Sequence, residues 1–186
     1  LWGPELEARN NQIVEIADGL IVSVRPGSQE EADHILPSGQ VLMPGMVDCH
    51  SHLALDARLP GHLGLMEDSE AKQTIRALKV LQDNLRAGIT GLRSVGDRYY
   101  LDVLLRDMIE QGSLEGPWLQ VAGIGMKGLH GHGYVGKSFS GKEEFRRQAR
   151  ENMFHKTDWL KIFITAGAPP ANGHVNCFLT REEVRT

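Results

Sequence analysis

The repeat of the chain changes at Pro44-Gly45, and that change narrows the folds open to it. Before it, residues 12 to 43 hold short apolar or alternating runs: Ile13-Val14-Glu15-Ile16, Leu20-Ile21-Val22-Ser23-Val24 and Val41-Leu42-Met43. Asp18-Gly19, Pro26-Gly27 and Ser38-Gly39 punctuate them, which predicts antiparallel strands, so residues 1–43 read as a small antiparallel β unit. After it the pattern runs strand, helix, strand, helix, with strands expected near 46–50, 89–95, 118–124 and 158–165. Ala71, Ile75, Leu78, Leu81 and Leu85 form one helical stripe closed by Gly88, and Leu101, Leu104, Leu105, Met108 and Ile109 form another closed by Gly112. A third helix is expected after Ser140, capped by Ser140 and Glu143 and burying Phe145 and Ala149; Thr180 and Glu183 open a fourth. Repeated βα units build a parallel sheet. The fold class is therefore α/β, and residues 44–186 read as the first four βα units of a (β/α)₈ barrel, which needs roughly 250 residues when whole. Leu1 in place of Met, and a helix that opens with almost no chain left, are read as an N-terminal part of something longer.

Composition removes several function classes. With 41% apolar and 24% charged residues the chain reads as an ordinary soluble protein. A net charge of −4 gives no footprint for a phosphate backbone, and Arg146, Arg147 and Arg150 read as a solvated helix face, so no nucleic acid is expected. No apolar run approaches the roughly 20 residues of a membrane span, and Leu1-Trp2-Gly3-Pro4 is no signal peptide, so the expected location is cytoplasmic. Cys49 alternates with its histidine neighbours and is expected as a buried free thiol on the opposite face of the strand.

The chemistry begins at Pro44-Gly-Met-Val-Asp-Cys-His50-Ser-His52. On an extended strand, side chains two apart share a face, so both imidazoles converge on one point. A chance pair on a surface loop is the bland alternative. The apolar approach through Met46 and Val47 favours a metal pair, and imidazole suits zinc, copper, iron and nickel. Lys161 stands alone in the apolar run Trp159-Leu-Lys-Ile-Phe-Ile164. Burial lowers an amine's pKa, and a neutral amine can capture carbon dioxide as a carbamate whose two oxygens bridge two ions. A lysine snorkelling at a strand end is the other reading.

Taken in order, His50-Ser51-His52, Gly88-Ile89-Thr90-Gly91-Leu92-Arg93, Gly128-Leu129-His130-Gly131-His132-Gly133 and Asp158-Trp159-Leu160-Lys161 resemble the metal-dependent amidohydrolase superfamily. Within it they are most similar to the imidazolonepropionase and Xaa-Pro dipeptidase (prolidase)-like branch. The resemblance implies a distorted (β/α)₈ barrel with a β-sandwich, and one or two divalent metal ions, zinc by expectation. His50 and His52 would bind the more buried ion, and Lys161, carboxylated by carbon dioxide, would bridge to the second. It further implies hydrolysis of a C–N bond in a small amide or dipeptide by metal-activated hydroxide. Ligands from the fifth and sixth strands and an aspartate at the eighth would complete the set, and none lies in this chain. In relatives the residue after the second-strand arginine is often an aspartate; here it is Ser94.

His130, His132 and Tyr134 lie among glycines after the third strand and are candidates for substrate contact, as loop residues are for no contact at all. Arg93 is a candidate to hold a substrate carboxylate or to make a structural ion pair. His174, His34, His62 and His155 are read as ordinary polar positions. Two function classes stay open: a metal-dependent hydrolase that needs the missing half, for which a homo-oligomer is one open assembly, or a non-catalytic chain that needs a partner.

Overall fold

A computed structural model describes residues 8–132, 136–165, 173 and 175–185. Tyr134 and His174 lie outside the described residues. The chain divides into two compact units, residues 1–45 and 46–186.

In the first unit, β1 (Gln12–Ala17) and β2 (Leu20–Pro26) form an antiparallel hairpin. Its two-residue turn puts Asp18 at φ 51° and Gly19 at φ 76°, the left-handed pair that matches the twist of the strands. Arg25 bridges Glu15 and Glu31 across the exposed face. The third expected strand is not formed. Val41, Leu42 and Met43 are exposed, and their backbone joins no ladder among the described residues.

The second unit is α/β with parallel strands. It runs β3 (Met46–Ser51), α1 (Glu70–Arg86), β4 (Ile89–Ser94), α2 (Leu101–Glu110), β5 (Trp118–Gln120), β6 (Met126–Gly128), β7 (Lys137–Phe139), α3 (Lys142–Phe154), β8 (Ile162–Phe163) and α4 (Arg181–Val184). One sheet has the order β3-β4-β5 and the other β7-β6-β8, with every pairing parallel. The third expected strand, near 118–124, is formed only at Trp118–Gln120, and β6 is a separate strand beyond it. Between β5 and β6, Gly123 turns at φ 66°, and Asp158 takes over the backbone partners: its carboxylate accepts from Val121 N at 2.7 Å and its N–H donates to Val121 O at 2.9 Å. The fourth is ladder-paired only at Ile162 and Phe163, while Thr165 bridges to Cys177. The short β7 was not anticipated from the sequence.

The helices lie where the periodicity puts them but turn differently. In α1, Ile75 is 70% exposed, and the covered face is Gln73, Ala77 and Leu81. The NH₂ of buried Gln73 donates to the carbonyls of Met66 (3.1 Å) and Asp68 (2.8 Å), while its Oε1 accepts no hydrogen bond among the described residues. In α2, Leu104 is exposed while Leu101, Val103 and Leu105 are covered, together with Asp102 and Arg106. The cap of α3 is not Ser140 with Glu143. Gly141 is the cap, Glu144 accepts from Ser140 N at 2.7 Å, and Glu143 instead pairs with Arg146. Thr180 and Glu183 do form the reciprocal cap of α4. Phe145 is buried as expected, with Ala149 packed beside it.

One core, built from Leu53, Ala77, Leu81, Leu92, Leu105, Val121 and Phe163 among others, lies between β3-β4-β5 and helices α1 and α2. A second joins Met126, Phe139, Phe145 and Leu179. At the end of β6 a Cβ on Gly128 would lie 2.2 Å from the carbonyl oxygen of Phe178, a backbone atom that cannot swing aside. Gly128→Ala is therefore expected to destabilise the protein by about 3 kcal/mol or more, read as a lower midpoint in chemical denaturation. An unchanged midpoint would show that this approach is not part of the folded structure.

Candidate metal centre

His50 lies at the end of β3, and His52 follows one residue past its last paired position. Their rings stand 5.9 Å apart between centroids and nearly perpendicular, at 77°. The backbone N–H of His50 donates to Asp48 Oδ1 at 2.9 Å, and the ring of His52 is oriented by Nδ1, which lies 2.8 Å from Gly96 O. A carbonyl can only accept, so Nδ1 carries the proton and Nε2 keeps its lone pair. Both imidazoles have lowered pKa values. Burial is the first cause for each, followed for His50 by the charges of Lys161 and His52, and for His52, against the Gly96 bond, by Lys161 and His132. Neutral imidazole is the form that ligates a metal.

Lys161 precedes β8 and is half-buried. Its Nζ sits over the ring of Phe163, 4.7 Å from the centroid. Burial, and secondarily the charge of Arg93, pulls its pKa down. The charged form is thereby disfavoured.

Arg93 on β4 makes no ion pair among the described residues. Its Nε donates to Cys49 O at 2.8 Å, and its guanidinium lies 4.9 Å from the centre of the Trp159 ring. His132 packs its ring against Phe163 (5.8 Å, 74°), and its N–H donates to Thr165 O at 3.1 Å. His130 is exposed in a left-handed conformation at φ 62°. Cys49 is exposed, not buried, as is Cys177. Among the described residues no three His, Cys, Asp or Glu side chains converge on one point. The candidate centre is two imidazoles and one amine.

Two carboxylates went unnoticed in the sequence. Asp97, fully buried, accepts from Leu53 N and Ala54 N at 3.0 Å each and from Ser94 Oγ at 3.1 Å. Asp102, also fully buried, accepts from Ala122 N and Gly123 N at 2.9 Å each. Their only sequence signal is position: both follow β4 closely, where strand ends carry unpaired backbone donors. Burial raises both pKa values against the opposing pull of the backbone N–H groups. A carboxyl whose folded pKa is raised contributes stability that is full below its ordinary value of 3.8 and is lost as pH rises through the raised value. Stability is therefore expected to fall from pH 4 toward neutrality, with a shallower slope in Asp102→Asn. Thermal unfolding across that range measures it, and identical slopes in both proteins would remove Asp102 from the effect.

No protein-family model matches the chain, and no curated protein matches it in sequence. Solved structures do. An amidohydrolase aligns at 24% identity and a TM-score of 0.68, covering 91% of this chain and 46% of its own. A prolidase complexed with N-methylphosphonate-L-proline aligns at 23% identity and 0.67, covering 89% and 45%. A Xaa-Pro dipeptidase with methionine bound in its active site aligns at 24% and 0.64, covering 88% and 45%. The chain thus spans less than half the length of these structures, and the fold it shares with them is that of amidohydrolases and prolidases. No helix among the described residues is long and apolar enough to cross a membrane.

Proposed function

We propose that this chain carries the first metal-binding elements of a hydrolase that cleaves an amide bond in a small substrate, a dipeptide being the favoured class. The single observation that carries the reading is the placement of the His50 and His52 rings 5.9 Å apart, with Nε2 of His52 unprotonated, near enough to a half-buried Lys161 for its charge to lower both imidazole pKa values. Two neutral imidazoles and a depressed amine are a donor set that fits zinc or a similar divalent ion. His50, His52 and Lys161 would hold it. Bound there, such an ion polarises a carbonyl and lowers the pKa of water.

The rest of the reading concerns the chain's own residues. Lys161 as the free amine would form an N–C bond to carbon dioxide and give up one proton, exchanging a neutral, half-buried amine for an anion with two donor oxygens. Phe163 packs beneath the Lys161 amine, and the His132 ring lies edge-on to Phe163. Arg93, held on Trp159 with no acidic partner among the described residues, keeps N–H groups for a substrate carboxylate. Parallel strands β3, β4, β5, β6 and β8 with outer helices fit the first part of a (β/α)₈ barrel, whose active site lies at the strands' C-terminal ends. His50, His52 and Gly96 are all at such ends.

Hydrolysis of a panel of Xaa-Pro and other dipeptides tests the reading, before and after chelation and after zinc is restored. The proposal expects turnover that chelation removes and zinc returns. Turnover indifferent to chelator, or zinc-loaded protein inert on every amide offered, would reject it.

A further inference from the structure

Resting on the metal-centre reading, we propose that Asp97 is the positioning residue that holds His52 in its ligand orientation. His52 lies beyond the paired part of β3, whose last ladder partner is Ser51 with Ser94. Its ring is held instead by the carbonyl of Gly96, at 2.8 Å. Gly96 itself lies past the end of β4, at φ 102°, so strand pairing does not fix that carbonyl.

The Asp97 carboxylate does. One oxygen accepts from Leu53 N and from Ser94 Oγ, and the other accepts from Ala54 N. It therefore grips the chain directly after His52 and, through Ser94, the residue that opens the Gly96 turn. Ser94 Oγ in turn accepts from Gly96 N at 3.3 Å, and Asp97 N donates to Gly123 O at 3.1 Å. The backbone that carries the imidazole and the carbonyl that orients it are thus clamped by one buried anion. Three donors on two oxygens suit a carboxylate and not an amide. Asparagine has one acceptor oxygen, and its NH₂ would face an N–H.

Asp102 is the internal control. It makes the same kind of backbone contacts, to Ala122 and Gly123, without touching the chain next to His52. The experiment titrates Co²⁺ into the metal-free intact protein and follows the visible d–d bands and the affinity, together with thermal midpoints. Asp97→Asn is expected to bind Co²⁺ about 10- to 100-fold more weakly with altered d–d bands. Asp102→Asn should lose a similar amount of thermal stability with affinity and bands like wild type. Ser94→Ala, a milder change should Asp97→Asn not fold, is expected to weaken binding in the same direction by less. Wild-type Co²⁺ affinity in Asp97→Asn, or in Ser94→Ala if only that variant folds, overturns the assignment, as does an equal loss in Asp102→Asn. A wild-type protein that binds no Co²⁺ overturns the metal-centre reading and this inference with it.

Discussion

Lys161→Ala is expected to lower amide hydrolysis by about 100-fold or more, a larger effect than a residue that only supports a ligand would give. The side chain is half-buried, its Nζ lies over Phe163, and burial together with Arg93 disfavours its charged form. An ordinary surface lysine has none of these features. If the group acts as a carbamate, short carboxylic acids that fit the vacated space should restore part of the activity in the alanine variant and none in wild type. Steady-state kinetics with and without added propionate measure it. Full activity in Lys161→Ala would reduce the residue to a structural amine, and loss without rescue would remove the carbamate while keeping the residue.

The second large effect is on metal content. The double variant His50→Ala, His52→Ala removes both imidazoles whose rings stand 5.9 Å apart, and it should lose the ion they hold. Elemental analysis after dialysis is expected to show at least one fewer ion per chain than wild type. Neither side chain is fully buried, so the fold should survive the change. Unchanged stoichiometry in a folded double variant would move the centre elsewhere.

Much of this was legible in the sequence because it rests on period and punctuation. Apolar runs ended by Gly88 and Gly112 located α1 and α2, and Thr180 with Glu183 marked the start of α4. Spacing by two put His50 and His52 near one another. The legible part stops where tertiary hydrogen bonds decide. Gln73 replaces Ile75 on the covered face of α1, where two carbonyls accept from its amide NH₂, which no hydropathy pattern conveys. Gly141 caps α3 because Glu144 and Glu183 accept from the N–H groups of Ser140 and Gly141 just before the start. The break between β5 and β6 depends on Asp158 from a distant segment, and Asp97 serves donors more than forty residues earlier in the chain. Such contacts have no local signature.

The central claim is that His50 and His52 ligate a divalent ion through nitrogen, and X-ray absorption at the zinc edge of the loaded protein tests it most directly. The account predicts a nitrogen and oxygen shell with imidazole scattering from two histidines, reduced in the double variant. A shell containing sulfur, as Cys49 or Cys177 would give, or one with no imidazole scattering, would contradict it.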